Sequence, residues 1–452
     1  MKFVIHRFCL LLMTGLFVVS SAARTQTVQS PEDLPNPDEV ADKYVKQNNY
    51  ITPIFELKAQ EEKYLASSAL KQTYLVAMIL LQNEVGNYDE AYRLLDIISK
   101  SNPQPEPYRK MLAKEITVSP VANDKMLDAL DAIEVVADSR QVIMINEEHL
   151  TPIHRAVTLQ LLSRLYKKGF RYFAAETLEE RDSELNKRGF PTQQTGYYTA
   201  DPVYADTIRT ALKLGYKVVA YESVDPKCQS PADNPEFCID QREQGQAQNL
   251  YNRILKNEPQ AKILVHVGRG HNSKDGVSKN FNFMGYYFKQ LTKIDPFTVD
   301  QLRYSEHRNT ADEQPLYRFL TRSNLLQTPS VFQMSDGSFY KKNTFGYDMA
   351  IFHPRMRYEN GRATFLKMNG LRKAEKINLK RLKLESRNQT FAGKEPILIQ
   401  AFFAAESNDA VPADQIIIYP NQKIPVLMLP AGSFRIRAMD KSGKEISKYN
   451  VS

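Results

Sequence analysis

The stretch that decides the fold is 141–178, QVIMINEEHLTPIHRAVTLQLLSRLYKKGFRYFAAETL. An apolar run at 141–145 ends in charged residues, as a short buried strand does where it reaches a loop. Leucines then recur at helical spacing until Gly169, a residue type that often ends helices. A second apolar run, 170–175, follows at once. Strand, helix and strand in this order predict a βαβ unit, in which the two strands run parallel.

The same alternation of strand and helix patterns continues through residues 126–366. Further strands are predicted at four apolar runs, 217–221, 262–267, 297–299 and 349–352. Helices are predicted between strands, at 203–214 and 239–256. Repeated β-α alternation favours an α/β fold with a three-layer, largely parallel sheet that helices cover on both faces.

The N-terminus has the pattern of a secretory signal peptide. A basic start with Lys2 and Arg7 precedes an apolar run at 8–19, and small residues follow at 21–23. We therefore predict a signal peptide at 1–23 and a mature protein that is periplasmic or secreted. A membrane anchor is the alternative, but the apolar run is shorter than a usual span. No other stretch approaches a span, so the mature chain is expected to be soluble.

Two regions of different composition flank the α/β part. Residues 24–125 are helical in pattern, with a predicted helical hairpin around 86–88. This hairpin resembles one tetratricopeptide unit, but a solenoid needs several stacked copies, so a hairpin packed against the next domain is favoured. Residues 367–452 alternate short strand patterns with turns. They predict a β-sandwich domain that binds partners or sugars, or braces the rest of the chain.

Composition and cysteine usage narrow the environment and the partners. The formal charge of +8 is a mild excess for 452 residues. No arginine-rich helix, zinc finger or aromatic-basic sheet pattern is present, which argues against a nucleic-acid partner. Without the leader, Cys228 and Cys238 are the remaining cysteines, and they flank a loop rich in turn-forming residues. In an oxidising compartment this favours a disulfide, whereas a zinc pair would need nearby histidines.

Ionisable residues follow the predicted parallel strands where each strand ends. They are Glu147, Glu148 and His149 after the first strand, Glu176 after the second, Glu222 after the third and His271 after the fourth. In an open α/β sheet, ligands bind in the crevice at the carboxyl ends of the strands. The sequence therefore predicts one reaction or binding centre at this rim.

Other histidines near the rim have competing interpretations. His154 and Arg155 fall in the first turn of the helix after the first strand, whose N-terminus favours anions. His154 is either a structural residue of that turn or part of the site. His266 lies within a strand and is expected to be a packed core residue. His307 and His353 are expected to be structural.

Two blocks carry a resemblance to a known group. The stretch 141–178 has a strand, an acidic-X-His turn, a helix with an early basic residue, then Gly-Phe and a strand ending in Glu. The block 263–274, ILVHVGRGHNSK, adds a strand and a Gly-X-X-His turn, and Arg242 lies on the intervening helix beside Glu243. Together these resemble the erythromycin esterase-like and ChaN-like superfamily, over roughly residues 135–300. The chain departs from it at Asn146, where the group usually has Gly, and in having two adjacent acids.

The resemblance implies a hydrolase that acts on an ester or amide of a small molecule or peptide without a required cofactor. His149 would deprotonate a water, with Glu147, Glu148 or Glu176 orienting its ring. Arg155 and His271 would stabilise the oxyanion. No Gly-X-Ser-X-Gly elbow is present, so direct attack by water is preferred to an acyl-serine route.

Other branches of the resemblance imply other activities. A ChaN-like or Tiki-like relative would bind haem or a divalent metal. Glu148, His149, Glu176 and His271 form a plausible nitrogen and oxygen ligand set. The sequence identifies no axial haem ligand. His154, Glu222 and Arg242 are expected to bind substrate, and the oligomeric state is left open.

Overall fold

The computed structural model describes residues 34–224, 228, 235–278, 281–341 and 346–451. The predicted signal peptide at 1–23 lies outside these residues. Within the described ranges, no helix is long and apolar enough to cross a membrane.

The chain opens with helices that wrap one side of the molecule. They are α1 (Pro37–Val45), α2 (Ile51–Lys58), α3 (Glu61–Ala66), α4 (Lys71–Glu84), α5 (Tyr88–Ser101) and α6 (Glu106–Leu112). The predicted hairpin corresponds to α4 and α5. Gly86 turns the chain between them in the left-handed region, with φ of 70°, where a side chain would be strained.

The middle of the chain forms an eight-stranded sheet in the order β1-β7-β8-β6-β2-β5-β3-β4. Its strands are β1 (Lys125–Asp128), β2 (Val142–Glu147), β3 (Phe170–Ala175), β4 (Lys217–Ala220), β5 (Lys262–Gly268), β6 (Phe297–Tyr304), β7 (Ser330–Gln333) and β8 (Met349–Phe352). Pairs from β8 through β6, β2, β5 and β3 to β4 are parallel, whereas β7 is antiparallel to both β8 and β1. The predicted mixed α/β fold with a largely parallel sheet is confirmed.

Helices cover both faces of this sheet. They are α7 (Ala129–Val136), α8 (Ile153–Lys167), α9 (Leu185–Arg188), α10 (Pro202–Leu214), α11 (Pro235–Leu250), α12 (Met284–Thr292) and α13 (Pro315–Arg322). Alternate residues of β2 enter different clusters: Ile143 packs with residues of α8 and α10, and Met144 with residues of α11 and α12. A strand buried on both faces reads as a continuous apolar run, which explains VIMI.

The C-terminal part contains small antiparallel sheets. Its strands are β9 (Tyr358–Glu359), β10 (Arg362–Ala363), β11 (Lys373–Lys376), β12 (Ser386–Arg387), β13 (Thr390–Phe391), β14 (Ile397–Phe403), β15 (Asp414–Ile418), β16 (Val426–Leu429), β17 (Phe434–Met439) and β18 (Glu445–Val451). Four of them form one sheet, β15-β14-β17-β18, and the others pair two by two. The two-sheet sandwich stays a prediction.

The three parts of the chain share one core. Tyr50 from the N-terminal helices, Leu130 from α7 and Leu398 from β14 belong to the same buried apolar cluster. Buried ion pairs reinforce the contact, since Arg372 donates to Asp206 of α10 at 2.8 Å. The N-terminal helices and the C-terminal strands therefore both pack against the part of the chain that forms the central sheet.

The predicted disulfide is present. Cys228 and Cys238 are bonded, with their Cα atoms 5.6 Å apart. The bond ties the segment that follows β4 to the first turns of α11.

Candidate active site

The carboxyl ends of three neighbouring strands bring the predicted residues together. In the parallel register of β2 and β5, Glu147 lies opposite Gly268, and in that of β3 and β5, Ala175 lies opposite His266. Glu176 therefore emerges beside Gly268, whose N–H donates to Glu176 Oε2. The order β2-β5-β3 places the two predicted motifs of the sequence side by side.

Glu147 is a buried carboxylate that contacts several charged and ring side chains. Its Oε1 lies 2.7 Å from Nδ1 of His149, and its Oε2 accepts from Nε of Arg155 at 2.7 Å. Nε2 of His266 lies 3.0 Å from the same Oε2. Burial raises the pKa of Glu147, but the charge of Arg155 and the His266 and His149 rings outweigh it and hold that pKa well below the usual range.

Arg155 is fully occupied by protein groups. It also donates to Glu147 Oε1 at 3.1 Å and to the backbone oxygen of His149 at 2.7 Å, and NH1 lies 3.5 Å from Asp201. The residue is 1% exposed, and Tyr204 packs against the guanidinium at 5.0 Å. Arg155 therefore positions Glu147 and the His149 backbone, and it has no surface turned to a substrate.

The ring of His149 is held in one orientation. It stacks on Tyr198, with ring centroids 4.1 Å apart and an interplanar angle of 12°. Because Nδ1 contacts the Glu147 carboxylate, Nε2 is the ring nitrogen left for other partners. A Cβ built on Gly268 would lie 2.3 Å from this Nε2 and 2.9 Å from Glu176 Oε2. The basic nitrogen and the carboxylate thus converge over a glycine that has no side chain to separate them.

Glu176 links this pair to a second set of charges. Its Oε1 accepts from NH2 of Arg242 and lies 3.7 Å from Nε2 of His271. Burial raises the pKa of Glu176, but the neighbouring His271, Arg242 and His149 side chains lower it below its ordinary value. Glu176 is therefore anionic at neutral pH and lies between two histidines.

His271 has a carboxylate partner of its own. Its Nδ1 contacts Oε1 of Glu243, a residue of α11 that is fully buried, and Glu243 Oε2 accepts from the backbone N–H of Met284 at 2.7 Å. Burial lowers the pKa of His271, but Glu243 and Glu176 raise it above its ordinary value overall. The rim thus holds two Glu–His pairs, with Glu176 between them.

Arg242 brings Glu222 into the network. Its Nε donates to Glu222 Oε1 at 2.9 Å and its NH2 to Oε2 at 2.6 Å, while NH1 lies 3.4 Å from Nε2 of His271. Glu176, Glu222 and His271 therefore all contact Arg242, and the Glu147–His149 pair lies next to Glu176 across Gly268.

Glu148 points to the other side of the rim. Its side chain pairs with Arg269 at 3.0 Å, and both residues line a cleft of about 330 Å³ beside α4 and α5. The side chains of these two adjacent acids therefore lie in different environments, because Glu147 ends β2 and Glu148 begins the loop that follows.

His154 fits the structural alternative. Its Nδ1 accepts from the N–H of Glu148 at 2.9 Å, and its Nε2 lies 3.1 Å from Oγ of Ser305, whose own hydroxyl donates to Gln301 O at 2.7 Å. Burial lowers the pKa of His154 well below its ordinary value. A neutral ring that holds the backbone of the acidic turn accounts for all these contacts.

The predicted metal ligands are not arranged around a common point. Glu148 faces Arg269, and the guanidinium of Arg242 lies against both Glu176 and His271, where a cation shared by these two would have to bind. Among the described residues, no group of three or more His, Cys, Asp or Glu side chains has a geometry suited to a metal ion. The donor set in this arrangement does not fit a metal.

Two functional candidates were given no role from the sequence. Glu243 lies on a helix distant in the chain from His271, and only its place beside Arg242 drew attention to it. Arg269 lies in the Gly-Arg-Gly-His turn, but the Gly-X-X-His motif is defined by its glycine and histidine and leaves the arginine position open. Hydrophobic periodicity cannot indicate either contact, since both depend on tertiary packing.

Comparisons with known proteins give limited likeness. No protein-family profile and no curated protein matches the chain. Among solved structures, it is similar to the type III effector HopBA1, with 13% identity and a TM-score of 0.32 over 52% of this chain and 99% of that one.

It is also similar to RRSP, a MARTX toxin effector domain from Vibrio vulnificus, with 14% identity and a TM-score of 0.25 over 52% of this chain and 50% of that one. A third match is the C-terminal region of Pasteurella multocida toxin, described as having a thiol-protease-like catalytic triad. It has 12% identity and a TM-score of 0.26 over 89% of this chain and 58% of that one. At these values the likenesses carry no functional argument.

Proposed function

We propose that this protein is a hydrolase that cleaves an ester or amide by direct attack of water, with His149 as the general base. The observation that supports this is the orientation of the His149 ring. Glu147 holds Nδ1 at 2.7 Å, Tyr198 stacks on the face, and Nε2 is directed toward Glu176 above Gly268. A fixed imidazole with one ring nitrogen free to take a proton is what proton abstraction from water requires.

The buried charges around Glu147 support the base. Proton transfer to His149 creates an imidazolium, which the neighbouring carboxylate stabilises. Arg155 keeps that carboxylate ionised and in place, through hydrogen bonds of 2.7 and 3.1 Å. We therefore assign Arg155 a positioning role, rather than contact with the oxyanion.

His271 is then the stabiliser of developing negative charge. Glu243 holds its Nδ1 and favours the protonated ring, so that Nε2–H can donate to a developing oxyanion. Arg242 carries a second positive charge 3.4 Å from the same nitrogen. Preorganised donors of this kind contribute about 10²–10³ in rate for each one.

The alternative, that these residues bind a catalytic metal, can be tested separately. Elemental analysis and chelation distinguish the metal-free mechanism from a metal-dependent one, because His149 needs no metal to deprotonate water. A stoichiometric metal that is removed together with activity would refute the metal-free mechanism. Titration with haem, followed by its Soret band, tests the haem alternative independently.

The deciding experiment is a hydrolysis screen with matched variants. Nitrophenyl esters and anilides of varied acyl groups are offered to the wild-type protein, to His149→Ala and to Glu184→Gln, whose carboxylate is exposed and pairs with Lys187. We expect activity on at least one ester, a loss of about 10²–10⁴ in His149→Ala and no change in the control. Equal activity of His149→Ala and wild type on a responsive ester would refute the proposal.

We also propose that the protein works outside the cytoplasm. The bonded Cys228 and Cys238 support this, since disulfides persist in oxidising compartments. Fractionation of cells that express the full chain, with the mature N-terminus determined by mass spectrometry, tests the export and the predicted cleavage after about Ala23. Detection of the uncleaved, reduced protein in the cytoplasm alone would refute it.

A further inference from the structure

A second cleft adjoins the rim at Asn146, Arg269 and Gly270, and Glu176 is not among the residues that line it. It has a volume of about 610 Å³ and lies between the β2, β5 and β6 ends and the N-terminal helices α5 and α6. Arg269 lines both this cleft and the smaller one beside Glu148. Arg269 directly follows Gly268, the glycine over which His149 and Glu176 approach each other, so the clefts begin one residue away from that glycine.

The backbone of Arg269 is fixed in an unusual conformation. Its φ is 41°, in the left-handed region that a non-glycine residue adopts at some cost. Its N–H donates to Glu147 O at 2.7 Å, and its oxygen accepts from the Asn146 amide at 2.7 Å. These bonds hold the guanidinium over the cleft, where NH2 contacts Glu148 and the buried Nε has no hydrogen-bond partner among the described residues.

Positive charge dominates the larger cleft. Lys100, Arg109, Arg269 and Arg303 line it, against two carboxylates, Asp300 and Asp312. Lys100 is paired with Asp96 at 2.6 Å, so the three arginines carry the available charge. Asp300 is buried and accepts from Asn146 at 3.1 Å; burial raises its pKa, and the hydrogen bond from Asn146 and the charge of Arg303 act against that rise. Within the described part of the chain, no carboxylate lies at ion-pair distance from Arg109, which is exposed, or from Arg303.

We propose that this cleft binds an anionic group of the substrate, a carboxylate or a phosphate ester, through Arg269, Arg303 and Arg109. Guanidinium groups match such anions with paired N–H donors, and a concave site with few competing carboxylates strengthens them. The inference deepens the proposed function, on which it rests for the identity of the ligand as a substrate. It makes the substrate an acid that carries its scissile bond beyond Arg269, toward His149.

Binding of anions can be measured without any catalytic turnover. The full mature protein is titrated by calorimetry at low salt with citrate and, separately, with inorganic phosphate. We expect saturable binding of at least one anion. In the double variant Arg109→Gln/Arg303→Gln we expect Kd to rise at least about tenfold, the effect of losing one or two charge-assisted hydrogen bonds.

The control variant is Arg387→Gln, on the exposed β12 ribbon, which should bind as the wild type does. Tighter binding of citrate assigns a carboxylate, and tighter binding of phosphate assigns a phosphate ester. Absence of binding of both anions, or unchanged Kd in the double variant, would overturn the inference. Arg109→Gln alone, at an exposed position, keeps the test valid if the double variant unfolds.

The failure of this site and of the proposed function are distinguishable. His149→Ala should bind citrate or phosphate with wild-type Kd, because His149 is not among the residues that line the larger cleft. If His149→Ala binds anions normally yet still hydrolyses esters at full rate, the hydrolytic mechanism fails and the anion site stands. If hydrolysis depends on His149 but neither anion binds, the anion site fails alone.

Discussion

The Nδ1 atom of His149 lies 2.7 Å from Oε1 of Glu147, two residues earlier in the chain. Glu147 is the last residue of β2, and His149 lies in the turn that follows. The buried His–carboxylate contact is therefore made within three consecutive residues. Arg155, from the first turn of α8, completes it by donating to both carboxylate oxygens. One βαβ unit therefore supplies the base, its orienting group and the counter-charge.

Replacing Glu147 by Gln should lower kcat by about 10²–10⁴. The amide preserves the shape but removes the negative charge that stabilises the His149 imidazolium, and it can hold the ring in the wrong tautomer. Steady-state kinetics on the responsive ester give the value, with Glu184→Gln as the control. A loss of less than threefold in a folded Glu147→Gln protein would contradict the role of this carboxylate.

Replacing Gly268 by Ala should remove activity and keep the fold. The new methyl group would lie 2.3 Å from Nε2 of His149 and 2.9 Å from Oε2 of Glu176, so both side chains must shift. Displacements near 1 Å in a reaction centre cost about 10² in rate. Circular dichroism and kinetics are compared with Gly276→Ala, where the nearest atom would be at an ordinary 3.4 Å. Full activity of Gly268→Ala would contradict the convergence over this glycine.

His271 should stabilise the fold at acidic rather than alkaline pH. Its folded-state pKa is raised above the ordinary value, mainly by Glu243 and Glu176 acting against burial. The contribution is therefore fully present below about pH 6.5 and is lost as pH rises through the raised pKa. Urea unfolding of wild type and His271→Gln from pH 5 to 9 should show a difference in stability that shrinks with rising pH. A difference that grows with pH would show that His271 is neutral in the fold.

His353, in contrast to His271, should destabilise the fold at acidic pH. Burial lowers its pKa to about 3, and neither ring nitrogen has a hydrogen-bond partner among the described residues. Below about pH 6.5, His353 binds a proton in the unfolded chain but stays neutral in the folded chain. This difference lowers the free energy of unfolding by about 2 kcal/mol at pH 5. The stability of His353→Leu relative to wild type should therefore increase by about this amount between pH 8 and pH 5. A pH-independent difference would contradict a neutral buried ring.

Much of the central sheet could be predicted because its strands are short apolar runs between polar loops. The run 170–175 and the strand 349–352 coincide with β3 and β8. The antiparallel strands β1 and β7, at one end of the sheet, were not predicted, since each is short and is defined by pairing with strands distant in the sequence. The last strand, β18, was missed because most of its residues are exposed and its alternation is weak.

The site was predictable where strand ends alone determine proximity. Glu147, His149, Glu176 and His271 follow parallel strands, and parallel strands share one rim. The choice between Glu147 and Glu148 could not be made, because it depends on where β2 ends to within one residue. Glu243 could not be paired with His271 from the sequence, because the contact depends on how α11 packs over β5.

The most direct test of the account is a double-mutant cycle on Glu147 and His149. Values of kcat/KM are measured for wild type, Glu147→Gln, His149→Ala and the double variant on one responsive ester. If the two residues act as one base, the double variant will be no slower than His149→Ala alone, because Glu147 has nothing left to stabilise. Losses that multiply in the double variant would show that the residues act independently, and would contradict the proposed His149–Glu147 base.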